Sequence, residues 1–441
     1  MTAQPQNRPQ ASASQEAGVS MLIHSIGQLA TPISATGPIH GQAMHEIRSL
    51  RDAAIAIADD KIVEVGDSGE LISKYGSKDN IQAINAGGRL VTPGLVDAHT
   101  HLVFGGNRAG EFIMRCQGKS YSEIADSGGG IVASMKATRA ATAQELTATA
   151  LVRLERMLAA GTTTCEIKTG YGLDSRSELL MLSVIYALQS MQPVEIIPTF
   201  MPAHAVPPET DRAAYVKSVI DDMLPGAIEL CEEGGYALPL VDVFCDRGYF
   251  TLSDTEAIFS ACAKLGLKTK VHADEFVSLG ATALAAREQS LSADHLLSIT
   301  DEDIAALACS QTIAVLLPGT SFYLNLKEHA PARKMIEMGV AIALGSDFNP
   351  GSCHIFSLPM IWGLACLHLA MTPQEALTAL SLNSAYAIGV GDKVGQIAHQ
   401  YQADITIYDV QSIEEIPYNI GWNPVFMTIK KGQVVHSCAT R

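Results

Sequence analysis

Two histidines that end an apolar run near residue 100 are the first residues whose spacing suggests chemistry. The stretch GLVDAHTHL, residues 94–102, places His99 and His101 two positions apart. In an extended chain both side chains lie on one side, about 6.6 Å apart. Imidazole is the commonest neutral metal ligand, so the pair can share one ion, although such pairs also occur in cores without a metal. The choice depends on whether the rest of the chain supplies further ligands.

Short apolar stretches alternate with segments of helical length through the middle of the chain. The predicted strands are residues 95–101, 162–168, 194–200, 240–246, 268–273, 290–295, 312–317 and 341–347. Eight βα units of this kind favour an α/β fold, a distorted (β/α)8 barrel with parallel strands. A doubly wound open sheet is the alternative, but no G-x-G-x-x-G follows the first strand.

Both ends of the chain carry short predicted strands in which apolar and polar residues alternate, unlike the continuous apolar runs in the middle of the chain. Residues 53–67 turn at Asp59–Lys61, and residues 403–410 and 425–437 include a turn at Lys431–Gly432. These patterns predict β-hairpins that pair into one small β-sandwich domain formed from both chain ends. The predicted organisation is a disordered N-terminal arm (1–20), the sandwich in two parts (21–90 and 389–441) and the barrel (91–388).

Composition narrows the class of protein and its partners. The chain has 46 acidic and 30 basic residues among 441, a net charge of −16. This charge argues against nucleic acid or an anionic membrane as partner. No apolar run is long enough to span a membrane, and residues 1–20 lack the apolar segment of a secretory signal. Nine scattered cysteines without C-x-x-C spacing predict reduced thiols and a cytoplasmic protein.

Polar residues fall at the carboxyl ends of the predicted strands, where barrel enzymes carry their catalytic groups. They are His99, His101, Glu166, Lys168, His204, Asp246, His272, Glu275, His295 and Asp347. Three of these imidazoles and one carboxylate can hold one ion. They belong to His99, His101, His272 and Asp347. This donor set suits zinc or ferrous iron better than calcium or magnesium.

One ion is expected, not two. A second ion needs a bridging anion such as a modified lysine at the end of strand 4, and VDVFCD has no lysine. Lys168 lies on strand 2, too far round the ring, and Cys245 is expected in the packed core.

Two further residues suit proton transfer. Glu275 follows His272 by three positions and can exchange a proton with a metal-bound water; otherwise it is a surface glutamate that opens a helix. His295 can bond that water or a substrate oxygen, or it is a buried structural histidine. The sequence does not decide whether Asp347 or Glu275 is the main proton shuttle.

Several motifs together resemble a known family. PGLVDAHTHLVFGG, HADE, ADH and GSDFNPGS resemble the amidohydrolase superfamily, whose members have this barrel and a small β-sandwich. HTHLVFGGNRAGEF, GGGI, EIKTGYGL, PTFMPAHAVP, CDRGYF and LGSDFNPGS resemble the imidazolonepropionase family more narrowly. The resemblance runs from about residue 85 to 430. H-x-H marks only the superfamily, whereas KTGYGL with DFNPGS is much more specific.

The resemblance implies a reaction and a set of site residues. The reaction is hydrolysis of 4-imidazolone-5-propanoate to N-formimidoyl-L-glutamate in histidine degradation, with one zinc or iron ion per chain. The implied ligands are again His99, His101, His272 and Asp347. The implied substrate contacts are Arg108, Tyr171, His204, Glu275 and Ser352, and the implied product contacts are Tyr171, Asn349 and Gly351. Asn107 replaces a frequent aspartate and Ser352 a frequent threonine, and both substitutions keep polar chemistry.

Two other functions stay in competition at this stage. A deaminase or another cyclic-amide hydrolase of the superfamily would use the same metal ligands, and a non-catalytic metal-binding barrel would keep them without turnover. Arg108 favours a small anionic substrate, because a guanidinium can bind a propionate through two parallel hydrogen bonds. We also expect a homodimer.

Overall fold

A computed structural model describes residues 18–78, 80–119, 123–124 and 128–438. The first 17 residues of the predicted N-terminal arm lie outside this part. Within it, the strands, numbered β1 to β16, are Met21–Pro32, Ile47–Ala58, Lys61–Asp67, Gln82–Asn85, Leu90–Pro93, Leu95–Asp97, Thr162–Lys168, Glu195–Ala203, Leu240–Cys245, Thr269–Ala273, Ser292–His295, Ile313–Leu316, Ile342–Leu344, Ile405–Tyr408, Val425–Lys430 and Gln433–Ser437. They form two sheets of eight strands each.

The first sheet is the predicted parallel barrel. Strands β6 to β13 pair in chain order, each parallel to the next. A parallel bridge between Thr100 and Phe348 joins the segments that follow β6 and β13. The amide of Asp347 donates to the carbonyl of His99 at 2.9 Å, and the amide of His101 donates to that of Phe348 at 2.9 Å. The ring of barrel strands therefore closes beyond the regular ends of β6 and β13, at the level of His99 and His101. The barrel is distorted at this point.

Helices separate successive barrel strands, as the alternation predicted. The α-helices are Ser68–Tyr75, Ala109–Cys116, Ile131–Ala140, Ala143–Ala159, Ser175–Leu188, Arg212–Ser218, Leu224–Gly234, Leu252–Lys264, Ala281–Arg287, Asp301–Ala308, Pro318–Tyr323, Ala332–Glu337, Leu358–His368, Pro373–Leu380, Leu382–Ala387 and Glu415–Tyr418, with a 3-10 helix at Gly41–His45 and a π-helix at Val219–Met223. Capping boxes start three of them, at Thr142, Thr251 and Thr372. Each box satisfies amides at the helix start that have no partner within the helix.

The second sheet joins the two ends of the chain. Its strand order is β16-β15-β14-β5-β1-β2-β3, and β4 also pairs with β1. The predicted hairpins are present, with turns at Asp59 and at Lys431–Gly432 whose positive φ values suit tight connections. Buried isoleucines of β1, β2, β14 and β15 belong to one apolar cluster. Across the described part of the chain, no helix is both long and apolar enough to cross a membrane.

Candidate active site

A cavity of about 830 Å³ opens at the carboxyl ends of the barrel strands. The predicted site residues that line it are His101, Arg108, Tyr171, His204, His272, Glu275, His295, Asp347, Asn349 and Ser352. His99 lies fully buried beside them, and Gly351 lies against the side chain of Arg108. Phe244, Tyr249 and Phe276 add an aromatic wall that the sequence analysis did not identify. The strand-end positions are therefore brought together at one face of the barrel.

Three histidines and one aspartate converge at the base of this cavity. Ligand atoms of His99, His101 and His272 all lie within 4.8 Å of one another. The Nε2 atoms of His101 and His272 are 3.3 Å apart. Asp347 Oδ1 lies 3.6 Å from His99 Nε2 and 3.9 Å from His101 Nε2. These spacings leave room for one ion between the four groups.

Carboxylates behind two of the histidines fix which nitrogen faces this centre. Nδ1 of His99 lies 2.7 Å from Asp294, and Nδ1 of His272 lies 3.1 Å from Asp242. Each carboxylate accepts a hydrogen bond from a protonated Nδ1, so the Nε2 of each ring presents its lone pair. Nε2 of His99 is buried and has no hydrogen-bond partner among the described residues. Burial lowers the pKa of His99 and of His101 well below the usual range, which keeps both imidazoles neutral as metal binding requires. The donor set therefore fits a metal ion.

A layer of fully buried charges lies under the histidines, and the sequence analysis missed its organisation. This buried charge layer consists of Glu166, Lys168, Asp242, Lys270 and Asp294. Lys168 lies 2.6 Å from Asp242 and 2.8 Å from Glu166, and Lys270 lies 2.9 Å from Glu166. Burial alone would lower the pKa of Lys168, but the surrounding carboxylates raise it above its ordinary value. The lysines thus hold in place the carboxylates that orient the metal-facing imidazoles.

Three residues from the sequence analysis take structural positions instead. Lys168 is fully buried in ion pairs, so it cannot reach a substrate in the cavity. Asp246 accepts hydrogen bonds from the amides of Phe276 and Val277 and shapes the loop after β10. Cys245 is buried in the apolar core, as expected. The sequence does contain one signal for the buried charge layer: a charged residue in the middle of an apolar strand, such as Asp242 in LVDVFC, predicts an ion-pair partner inside the barrel.

Three groups that can accept or donate a proton face the centre: Glu275 follows β10, His295 ends β11 and Asp347 follows β13. Glu275 Oε1 lies 3.9 Å from His295 Nδ1. Burial, together with the Asp347 carboxylate, raises the pKa of Glu275 well above its usual range. Asp347 is more constrained, because its Oδ2 accepts the Thr320 hydroxyl at 2.6 Å while Oδ1 faces the histidines. His295 and Asp347 both adopt left-handed backbone, with φ of 79° and 50°, a conformation that non-glycine residues hold mainly where surrounding structure enforces it.

Tyr171 and His204 form a second side of the cavity. The imidazole of His204 stacks on His101 with ring centroids 4.7 Å apart, and its Nδ1 lies 3.0 Å from the carbonyl of Gly170. Burial lowers the pKa of His204 to about 3, so the ring is neutral. Tyr171 lies 5.3 Å from His204 between ring centroids. This side therefore places polar groups next to the converging histidines.

The loop after β13 supplies the third side. Asn349 accepts hydrogen bonds from the amides of Gly351 and Ser352 through Oδ1, each at 2.8 Å. Its Nδ2 donates to the carbonyl of Asp347 at 2.7 Å and to the Ser352 hydroxyl at 2.8 Å. Asn349 thus organises the turn and borders the cavity at the same time.

Comparison with known proteins agrees with the architecture. The model of the amidohydrolase family matches residues 90–436. The crystal structure of an atrazine chlorohydrolase variant from Arthrobacter aurescens, complexed with zinc and atraton, superimposes with a TM-score of 0.67 at 15% identity, over 95% of each chain. At this identity the similarity is one of fold. Family and donor set together indicate a metal ion held by histidine and aspartate groups.

Relatives of much higher identity narrow the family. The imidazolonepropionase of Chloroflexus aggregans is 46% identical over 421 residues, which covers 94% of this chain and 98% of that protein. The imidazolonepropionase of Bacillus velezensis is 44% identical over 419 residues, covering 95% and 97%. The chain therefore belongs to the imidazolonepropionase family of the amidohydrolases.

Proposed function

We propose that this protein hydrolyses the cyclic amide of 4-imidazolone-5-propanoate to N-formimidoyl-L-glutamate, a step of histidine degradation. The observation that carries the proposal is the meeting of a metal donor set, a proton-carrying carboxylate and an arginine in one cavity. Relatives that match over nearly the full length bear the corresponding name, so a deaminase or a non-catalytic barrel is not favoured. The proposed location is the cytoplasm, which agrees with nine unpaired cysteines.

The proposed ligands of one zinc or iron ion are His99, His101, His272 and Asp347. When bound, such an ion supplies a Lewis acid and an activated water as nucleophile. Asp294 and Asp242 hold two of the imidazoles with Nε2 toward the centre.

Glu275 is the proposed proton carrier. Unlike Asp347, it makes no hydrogen bond to any residue in the described ranges, and its raised pKa suits a group that takes a proton and then gives it up. Hydrolysis needs both steps: the nucleophilic water loses a proton, and the departing ring nitrogen gains one. His295, adjacent to Glu275, is proposed to donate a hydrogen bond to the carbonyl oxygen as negative charge develops on it.

Arg108, Tyr171 and His204 are proposed to bind the substrate, with Ser352 at the rim, and Asn349 and Gly351 to border the product. Arg108 is 9% exposed and lines the cavity, where the low dielectric strengthens the attraction of its guanidinium for a carboxylate. A protein of net charge −16 needs such a local cation for an anionic substrate. The expected homodimer stays a prediction.

The proposal is tested by measuring loss of 4-imidazolone-5-propanoate with purified protein, before and after removal of metal by a chelator. Activity should disappear with the metal and return with zinc or ferrous iron. Arg108→Ala should raise KM about tenfold or more, because a charge-assisted hydrogen bond contributes about 1.5–3 kcal/mol. Arg108→Lys should be nearly as damaging, since an ammonium lacks the planar fork. Hydrolysis that persists without metal contradicts the proposal.

A further inference from the structure

A buried carboxylate behind the cavity-lining Arg108 has no role in the function proposed above. Glu111 lies on the helix Ala109–Cys116, three residues after Arg108, and is 8% exposed. Its Oε2 accepts a hydrogen bond from Nε of Arg108 at 2.8 Å and lies 2.8 Å from Nη2 in an ion pair. One carboxylate oxygen therefore fixes the Nε–Nη2 edge of the guanidinium.

The other oxygen of Glu111 is held by the glycine motif noted in the sequence. The amide of Gly130 donates to Oε1 at 3.0 Å. Gly130 has φ of 71° and ψ of −153°, a backbone region open essentially to glycine alone. A Cβ on Gly129 would lie 2.9 Å from Oε1. The GGGI stretch, residues 128–131, thus brings a backbone donor to Glu111 and leaves space for the carboxylate.

Gly351 confines the same guanidinium from the opposite loop. A Cβ at this position would lie 1.9 Å from Nη1 of Arg108. Glu111 and the loop after β13 therefore restrict the arginine from two directions. An arginine side chain loses much rotamer entropy when it is ordered, and here contacts within the protein restrict it.

We propose that Glu111 is a positioning residue that fixes the Arg108 fork, and that this fixed fork selects substrates with a carboxylate tail. The inference rests on the proposed function, because it takes the partner of Arg108 to be the propionate. Glu111 does not cancel the recognition: a guanidinium has five N–H donors, and Glu111 engages those of one edge. It sets the direction in which the rest of the guanidinium points.

The test compares two substrates that differ only in the charge of the tail: 4-imidazolone-5-propanoate and its methyl ester. The variants are Glu111→Gln, Arg108→Ala, the double variant, and Glu155→Gln on an exposed helix position as the matched control. Glutamine has the size of glutamate, but its amide nitrogen must face one of the two donors, Arg108 or the Gly130 amide. Metal content is measured for every variant.

For Glu111→Gln we expect KM for the acid to rise about tenfold or more with kcat within about threefold of wild type. KM for the ester should stay within about twofold of wild type, and metal content should not change. The substitution should add nothing once Arg108 is alanine, because both changes remove one interaction.

Three results would overturn the inference. The first is an unchanged KM for the acid in Glu111→Gln together with a raised KM in Arg108→Ala. That result excludes a positioning role for Glu111 and leaves the proposed function intact. Equal losses on acid and ester show a general distortion of the site. Failure of wild type to hydrolyse the acid removes both proposals. If Glu111→Gln does not fold, Glu111→Asp gives the same readings, since it keeps the charge but withdraws the carboxylate by one methylene.

Discussion

At the scale of single residues, the site contains side chains that position the imidazoles and other side chains that are free to take part in proton transfer. Two imidazoles are fixed in tautomer and direction by a carboxylate behind them: His99 by Asp294 and His272 by Asp242. Glu275 makes no hydrogen bond to the described residues and lies on the open side of the centre. A proton carrier must change partners during turnover, so the weaker restraint on Glu275 suits that role.

Glu275→Gln should keep the metal and lose turnover. The glutamine amide has nearly the shape of the carboxylate but cannot accept or deliver a proton at neutral pH. General acid–base catalysis typically contributes about 10²–10⁴ in rate. The measurement is kcat together with elemental analysis of the same preparation. Wild-type kcat in this variant would exclude Glu275 from proton transfer and leave Asp347 as the carrier.

One tightly bound ion per chain is expected, and His101→Ala should lose it. The ligand atoms of the three histidines form one compact group, and Lys168, considered above as a bridging lysine, is already ion-paired to Asp242 and Glu166. Elemental analysis of purified wild type should give one equivalent of zinc or iron, and the variant should bind far less while circular dichroism stays unchanged. Two tightly held ions per active chain would contradict this assignment.

At the scale of elements, much of the architecture was readable from the sequence. Apolar runs that end in polar residues gave the barrel strands, because parallel strands are buried on both faces and their carboxyl ends meet the solvent-filled site. The buried charge layer was not readable. Glu166 and Lys270 are 104 positions apart, and their pairing depends on which strand positions point into the closed barrel. For the same reason the sequence does not show that Lys168 is enclosed in ion pairs with Asp242 and Glu166.

The loop after β7 shows how an element can be shaped by one carboxylate. Glu178, fully buried at the start of the helix Ser175–Leu188, accepts the amides of Gly170, Gly172 and Leu173 at 2.7–3.2 Å. Those amides flank Tyr171, so the carboxylate determines where the tyrosine enters the cavity. KTGYGL was recognised as a motif, but the residue that organises it lies outside the motif.

Glu178→Gln should therefore weaken substrate binding through the Tyr171 loop. Its amide nitrogen cannot accept a hydrogen bond, so at least the shorter bond from the Gly170 amide is lost. A buried donor that loses its acceptor costs about 1–3 kcal/mol. We expect a lower melting temperature and a higher KM, with metal content unchanged. The conservative companion is Tyr171→Phe, which keeps the loop and removes only the hydroxyl. If Glu178→Gln is destabilised but has the wild-type KM, the carboxylate supports the fold alone.

At the scale of the whole molecule, a buried ionic joint connects the two sheets. Lys430, at the end of β15, lies 2.7 Å from Asp404, which immediately precedes β14, and 3.0 Å from Glu195 at the start of barrel strand β8. Its side chain is 3% exposed. Because the second sheet combines both chain ends, this joint ties the C-terminal strands to the barrel. Folding of the ends and of the barrel should therefore be coupled.

Acid should weaken this ionic joint, and Glu195→Gln should isolate the contribution of the Glu195 carboxylate. Burial alone would raise the pKa of Glu195, but the Lys430 ammonium and the Gln402 amide outweigh it and lower the pKa to about 2. A carboxyl whose folded pKa lies below its ordinary 4.5 stabilises the fold above that value, and the contribution is lost as pH falls from 4.5 toward 2. The shift corresponds to on the order of 3 kcal/mol at neutral pH.

The measurement is the free energy of unfolding by urea from pH 7 down to pH 3, on chelator-treated protein so that metal release does not contribute. Wild type should lose stability below pH 4.5 faster than Glu195→Gln, and the two curves should converge as pH falls. Glu229→Gln, at an exposed helix position, serves as the control and should follow wild type throughout. Parallel curves for wild type and Glu195→Gln would show that Asp404 alone neutralises Lys430, and that the barrel and the second sheet are held together by their apolar contacts.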